Sequence, residues 1–396
     1  MIGIGLLGFG TVGQGFYDII NKKRSDIPSI IGDDLEVVKV LVRDLEKNRR
    51  IQIPKEKLTL SFEELVNDPR ISIIVEVTSD IEKSYEYIKE ALNNGKHVVT
   101  ANKGVVSAYF EELSSIALNK GLYFLYEASV GGGIPVIKPI KDMVKLNDID
   151  NVMGILNGTC NYMLTKMTEE SLSYNEVLNE AQSLGYAEED PSSDVEGLDT
   201  LRKLRILSSI AFGGVITEDD IICDGIENIS DLDIKLLKDK GKVVKLIAKT
   251  YRFKDGYCSI VQPKAVDRGS FFSNVNYAFN SISIEGDNIG DIKFYGLGAG
   301  MYPSANAIFT DCIDVVLNNQ TKDTPLRINR LKNYNEEIMG EYYVRIHDCD
   351  EEIFNDIVSE KLNKDPLCFI SKGVKLMELL NRIASIQYRD YSIISI

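Results

Sequence analysis

The chain opens on an apolar run, MIGIGLLGFG, that enters glycines and is followed at once by a helical stretch, TVGQGFYDIINKKR. Gly8-Phe9-Gly10-Thr11-Val12-Gly13 has the form G-x-G-x-x-G. The pattern alone is weak, and its position between a first strand and a first helix gives it weight. Gly8 permits a tight turn, Gly10 lets backbone approach a pyrophosphate, and Gly13 lets helix and strand pack closely. The N–H groups at the helix start then face the phosphates. These six residues are the expected contacts of a nicotinamide dinucleotide.

Strand and helix alternate through the first third. LEVVKVLVR (35–43), ISIIVEVTS (71–79), KHVVTA (96–101) and GLYFLYEAS (121–129) read as buried strands. IEKSYEYIKEALNNGK reads as a helix, with Tyr85, Ile88, Ala91 and Leu92 at helical spacing and a stop at Asn94-Gly95. Ser61-x-x-Glu64 is a candidate capping box. Such alternation implies a parallel, doubly wound sheet over residues 1–130. At the end of the second strand, Arg43 suits the 2′-phosphate of NADP, whereas an acid there suits NAD. Arg43 can equally pair with Asp44 or a nearby glutamate, so the expectation is NADP(H), with NAD(H) accepted.

The 396 residues are 44% hydrophobic, enough for two or three domains with real cores. A net charge of −15 argues against nucleic acid or an anionic membrane as partner. No signal peptide or membrane-length apolar run is evident. The six cysteines (160, 223, 258, 312, 349, 368) are scattered without C-x-x-C, which disfavours zinc or disulfides and fits a reducing cytoplasm. With only His97 and His347 present, proton transfer falls to Lys, Asp, Glu, Tyr or water.

The segment GYAEEDPSSDVEGLDTLRK (185–203) sets Glu188, Glu189, Asp190, Asp194, Glu196 and Asp199 ahead of Lys203. Asp199 and Lys203 lie one helical turn apart and share a face. They read either as a surface ion pair worth about 0.3–0.5 kcal/mol or as part of an active site. Lys103, after a strand's carboxyl end, is placed to reach cofactor or substrate, or points to water. Gly131-Gly132-Gly133 after Glu127 is either a hinge or, with Glu127 and carbonyl oxygens, a seat for a hard cation.

GLLGFGTVG, GKHVVTANK, EASVGGGIP, GILNGTCNYMLTKM, GYAEEDPSSDVEGLDTLRK and YGLGAGMYPSANAIFTD occur in this order. Together they resemble homoserine dehydrogenase over roughly residues 1–320. The resemblance implies reversible NAD(P)-dependent hydride transfer between L-homoserine and L-aspartate 4-semialdehyde, on the route to threonine and methionine. It implies Glu188 on the substrate ammonium, with Asp194, Asn157, Gly158 and Thr159 lining the polar pocket. Lys203 is then the proton donor to the carbonyl oxygen, oriented by Asp199, and Lys103 a second cation. Arg43, Thr78, Lys103, Gly298 and Gly300 join the cofactor contacts. Glu127 and the carbonyls of Val130, Gly132 and Ile134 correspond to a Na⁺ site. A homodimer or homotetramer is expected, in the stand-alone form without a fused kinase.

Two departures stand out: Thr78-Ser79-Asp80 where a glycine-bearing loop is expected, and Tyr302 in place of a smaller residue. Residues 131–295 are expected to form an α+β substrate and dimerisation domain, with 296–320 returning to the first domain. LTKMTEESLSYNEVLNEAQSLG reads as helical, and NNQTKDTPLR (318–327) as a linker. The tail, 335–396, resembles a shortened ACT-type module, with CDEEIFNDIVSEKL as a helix. Competing readings are another two-domain nicotinamide oxidoreductase, an aldehyde-oxidising enzyme using a cysteine such as Cys160, and a catalytically silent dinucleotide sensor.

Overall fold

A computed structural model describes residues 1–322, 327–386 and 390–396. Two compact units make up the chain. The first comprises Met1–Asn147, Ile206–Val215 and Gly296–Asn329; the second comprises Asp148–Arg205, Ile216–Tyr295 and Arg330–Ile396. Of the expected 318–327 linker, residues 323–326 lie outside the described residues. Among the described residues, no helix is long and apolar enough to cross a membrane.

The first unit is built on strands β1 (Ile2–Leu7), β2 (Leu35–Leu41), β3 (Leu58–Thr59), β4 (Ile71–Glu76), β5 (His97–Thr100) and β6 (Phe124–Leu125). They lie in the order β3-β2-β1-β4-β5-β6, every pair parallel. This is the doubly wound sheet that the strand–helix alternation predicts. Strand order reverses between β1 and β4, where such sheets take their ligands. Helix α1 (Thr11–Lys22) buries Phe16, Tyr17 and Ile20 against β1 and β2 residues, each burial worth about 1.5–3 kcal/mol. Helices α2 (Ile81–Asn93) and α3 (Lys103–Asn119) follow β4 and β5. The late helix Met301–Leu317 adds Ile308, Phe309 and Cys312 to the same core.

Two local expectations change. The strand expected over 121–129 pairs only at Phe124–Leu125, and Glu127–Ser129 winds into a 3₁₀ turn. Its geometry answers to a tertiary partner, since the Glu127 amide donates to Asp311 Oδ2 at 2.9 Å. The Ser61–Glu64 box does not form. Ser61 Oγ donates to Glu63, and Glu64 pairs with Lys39 across 25 residues instead. Asp80, the acid of the first departure, caps α2 by accepting from the Lys83 amide.

The second unit centres on an eleven-stranded sheet. Its main strands are β7 (Ile149–Ile155), β8 (Lys242–Phe253), β9 (Gly256–Asp267), β10 (Phe279–Gly286), β11 (Gly290–Leu297), β12 (Tyr342–Ile346), β13 (Val358–Asn363), β14 (Leu367–Ser371) and β15 (Tyr391–Ser395). They run β11-β10-β7-β8-β9-β15-β12-β14-β13, with Ile222–Cys223 and Lys332–Asn333 also pairing to β9. The stretch 164–185, expected to be helical, falls in two helices, Gly158–Glu170 and Tyr174–Ser183. Ser171 adopts φ 57°, and Ser173 with Glu176 forms a capping box that starts the second helix.

In the tail, the helix expected at 349–362 is absent. Glu351–Phe354 makes one 3₁₀ turn capped by Asp350, and β13 then pairs back on β14 as a hairpin. Pairing with β14 overrides the local helical pattern. The tail strands extend the sheet of the second unit, and Cys258 and Ile260 of β9 share a core with Val344, Phe369 and Ile393.

Candidate functional site

In the first unit, the turn between β1 and α1 is shaped by its glycines. Gly8 has φ +98°, a conformation that side-chain-bearing residues rarely adopt. A Cβ on Gly13 would stand 2.3 Å from the Gly8 carbonyl oxygen, so helix and turn close only because it is absent. Gly10, by contrast, faces open space, with nothing within 4 Å of where its Cβ would be. No side chain caps α1. An uncapped helix start facing open space beside a glycine fits the pyrophosphate of a dinucleotide. Thr11 and Val12 lie in the first turn, while the Phe9 side chain is buried edge-on against Tyr17 at 5.7 Å. Phe9 therefore offers a cofactor only its backbone.

Arg43 is exposed at the end of β2. No ion pair to Asp44 or a glutamate is found for it among the described residues; Asp44 accepts from the Glu46 amide, and Arg49 folds back onto backbone carbonyls. Thr78 packs against the glycine turn, its Cγ2 3.1 Å from the Gly8 Cβ position, and its hydroxyl donates to Glu76 Oε1 at 2.7 Å. Lys103 is the first residue of α3, whose start is capped by Asn102 Oδ1 accepting from the Gly104 and Val105 amides. The late glycine loop crosses the 131–133 loop closely. Leu297 O accepts from the Gly133 amide at 3.2 Å, and Gly298 O lies 2.4 Å from the Gly132 Cβ position. Gly298 is buried and Gly300 caps the Met301–Leu317 helix. Tyr302, the second departure, donates to Asp18 Oδ2 at 2.8 Å on α1.

The carboxylate that the resemblance implies at a Na⁺ site makes three hydrogen bonds to backbone amides. Glu127 Oε1 accepts from the Val136 and Ile137 amides at 2.6 and 2.7 Å, and Oε2 from the Lys138 amide at 2.9 Å. It caps the start of helix Ile137–Met143 while buried, and burial raises its pKa against those amides and Lys141. No group of three His, Cys, Asp or Glu able to hold a metal occurs among the described residues. No step below runs through a cation.

In the second unit, the 157–203 residues converge. Asn157 caps helix Gly158–Glu170 through Oδ1, which accepts from the Cys160 amide at 2.8 Å. Its Nδ2 donates to Asp194 Oδ1 at 2.7 Å and Asp199 Oδ2 at 2.8 Å. Lys203 Nζ donates to Asp199 Oδ2 at 2.7 Å and to Leu156 O at 2.8 Å. The same carbonyl accepts from Asn280 Nδ2 at 2.8 Å. Asp199 is 1% exposed and Lys203 8%, so the surface ion-pair reading of these two residues is overturned. Gly158 lies against Ala278 O, and Thr159 Oγ1 donates to Tyr186 O at 2.7 Å. The Glu188 carboxylate is exposed, its backbone carbonyl held by Gln182. A buried ammonium fixed by a carboxylate can stabilise and protonate a developing alkoxide.

Cys160 does not offer a nucleophile. Its Sγ donates to Asp194 O at 3.1 Å, and burial first, then Asp194 and Asp199, raise its pKa well above the ordinary thiol value. A thiol so held is mostly unionised and inert. Three site groups escaped the sequence reading: Glu76, Leu156 O and Asn280. Glu76 sits inside an apolar strand, a backbone carbonyl has no sequence signature, and Asn280 meets the site only through the fold.

The homoserine dehydrogenase family model matches residues 135–313, and the model for that family's NAD-binding domain matches residues 8–127. A homoserine dehydrogenase of Synechocystis sp. is 42% identical over 79% of this chain and 73% of its own length. The crystal structure of a homoserine dehydrogenase from Thiobacillus denitrificans is 31% identical, covers 100% of this chain and 97% of its own, and superposes with TM-score 0.87. A hyperthermophilic archaeal homoserine dehydrogenase solved in complex with NADPH is 27% identical, covers 80% and 98%, and superposes with TM-score 0.68. With its parallel NAD(P)-binding sheet and its buried lysine–carboxylate network, the chain belongs to the homoserine dehydrogenase family of oxidoreductases.

Proposed function

We propose that this chain interconverts L-homoserine and L-aspartate 4-semialdehyde on the route to threonine and methionine, with Lys203 as the proton donor. The buried Asn157–Asp194–Asp199–Lys203 network carries the reading. A bound nicotinamide supplies or accepts the hydride at the substrate carbon. In the reductive direction, Lys203 stabilises the negative charge growing on the carbonyl oxygen and transfers its proton there. In the oxidative direction it takes the hydroxyl proton. Asp199 and Leu156 O hold the ammonium in place, Glu188 binds the substrate ammonium, and Asp194 shapes the polar pocket with Asn157, Gly158 and Thr159. Lys103 is a second cation at the nicotinamide end.

Arg43, exposed beyond β2, supports NADP(H) as the preferred cofactor with NAD(H) accepted. The archaeal relative was solved in complex with NADPH, so a protein of this family takes that cofactor. The first unit is assigned to cofactor binding, the second to substrate binding and to pairing in a homodimer or homotetramer. Six unpaired cysteines are compatible with a cytoplasmic location. The test follows reduced-nicotinamide absorbance with L-homoserine and NADP⁺ or NAD⁺. Turnover that requires homoserine is expected, faster with NADP⁺ at limiting cofactor. Folded, cofactor-bound protein that turns over neither homoserine nor the semialdehyde would leave a dinucleotide sensor instead.

A further inference from the structure

Glu76 is the last residue of β4 and has no exposed surface. A carboxylate in that setting persists only when its oxygens are satisfied, and four donors satisfy it. Oε1 accepts from the Thr78 amide at 2.7 Å, the Thr78 hydroxyl at 2.7 Å and the Ser84 hydroxyl at 2.9 Å; Oε2 accepts from the Thr100 hydroxyl at 2.6 Å. The two oxygens thus reach different elements. Through Oε1 the carboxylate fixes Thr78 and the first turn of α2. Val77 and Thr78 are the wall of the glycine turn: Val77 O and Thr78 Cγ2 each lie 3.1 Å from the Gly8 Cβ position, and Val77 Cγ2 lies 3.3 Å from that of Gly13. Through Oε2 it fixes Thr100, whose Oγ1 accepts from the Asn102 amide at 3.0 Å. Asn102 caps α3 and reaches back to Thr78 O and Ser84 Oγ, both at 3.3 Å. Lys103 begins that helix.

We infer that Glu76 is a positioning residue for the dinucleotide site, one buried carboxylate that sets the glycine turn's wall and the Lys103 helix start in register. The inference rests on the cofactor part of the proposed function. Nothing in the fold itself demands a carboxylate here, since neighbouring Ile74 and Val75 fill the strand with apolar side chains. Burial pushes the Glu76 carboxyl up, and the hydroxyl and amide donors oppose it.

Glu76→Gln keeps the size but removes the charge and turns one oxygen into an N–H donor, so the four donors now gathered on the carboxylate cannot all keep their present bonds. Thr100→Val cuts the Asn102 arm alone. Ile74→Val, a buried β4 substitution outside the polar network, controls for lost stability. NADPH fluorescence titration of the folded proteins should show binding weakened about tenfold in Glu76→Gln and about threefold in Thr100→Val, the scale of one lost hydrogen bond to a charged group. With homoserine, the KM for NADP⁺ should rise in parallel while kcat at saturation falls less than about threefold. Ile74→Val should bind NADPH as wild type does. Binding within about twofold of wild type in Glu76→Gln, or equal weakening in Ile74→Val, overturns the inference. Should Glu76→Gln not fold, wild-type binding by Thr100→Val overturns it. If homoserine is not turned over by wild type yet the NADPH pattern holds, the substrate assignment falls and the role of Glu76 stands.

Discussion

Lys203 Nζ lies 2.7 Å from Asp199 Oδ2, one helical turn away, and both side chains are almost wholly buried. An exposed pair at this spacing would be worth little, but a buried one is held by additional donors and acceptors or not at all. Here Asn157 and Leu156 O supply them. Lys203→Met removes the proton donor while keeping an unbranched chain of similar length. kcat for homoserine oxidation should fall at least about a hundredfold, the usual scale for losing a general acid–base group. NADPH affinity should stay near wild type. Near-wild-type kcat would assign the proton transfer elsewhere, with Lys103 the next candidate.

The same network makes Cys160 a poor target. Its thiol is fully buried, its Sγ–H is directed to Asp194 O, and its pKa is raised. Iodoacetamide at neutral pH should leave Cys160 unmodified in the native protein and label it after denaturation, read by peptide mass. Rapid native labelling coupled to loss of activity would revive a cysteine-based aldehyde chemistry.

Arg43 tests cofactor choice. Because no ion pair holds it among the described residues, its guanidinium remains available for a 2′-phosphate. Arg43→Ala should raise the KM for NADP⁺ about tenfold, the scale of one lost charge-assisted contact, and leave the KM for NAD⁺ near wild type. Equal changes for both cofactors would place the discrimination elsewhere.

Much of this site was legible because its logic is local. The glycine turn declares itself by lying between a strand and a helix, and Asp199 and Lys203 share a face through helical spacing alone. Burial was not legible. It depends on Leu156 O and Asn280, the latter 124 residues from the carbonyl it shares with Lys203. Glu76 sits within the apolar run ISIIVEV and gave no sign that it gathers hydroxyls from β5 and α2. Glu127 shows the same limit: the sequence places a carboxylate beside glycines, and only the tertiary fold discloses that it also caps a helix. In the tail, a helical pattern lost to hairpin pairing with β14.

The tail is anchored by charge as well as by its core. Arg345 Nε donates to Asp233 Oδ1 at 3.0 Å, with the pair 5% and 0% exposed in its side chains, and Tyr343 donates to the same oxygen at 2.7 Å. The second partner of Arg345, Asp390, is 67% exposed. Asp233→Ala leaves a buried guanidinium poorly compensated and should cost about 3–5 kcal/mol in urea unfolding. Asp390→Ala should cost no more than about 1 kcal/mol. Similar costs for both would mean that the buried pair adds little to holding β12 against helix Asp231–Asp239.

Asp224 gives a pH signature with a definite sign. Burial raises its carboxyl from the ordinary 3.8 to about 6, against one hydrogen bond from the Gly225 amide. Between those two values the folded protein holds a proton that the unfolded chain has released. Its contribution to stability is therefore fully present below about 3.8 and is lost as pH rises through about 6. At pH 7 the native state carries a half-buried, poorly paired carboxylate. Asp224→Asn keeps the acceptor for the Gly225 amide and removes that charge. It should stabilise the protein at neutral pH by about 2 kcal/mol, after discounting for partial exposure of the side chain. At pH 4, where both forms are neutral in the folded state, the gain should vanish. Thermal unfolding of the two proteins at pH 4 and pH 7 checks both arms. A stabilisation of equal size at both pH values would point to packing, and none at either would mean that Asp224 is well solvated.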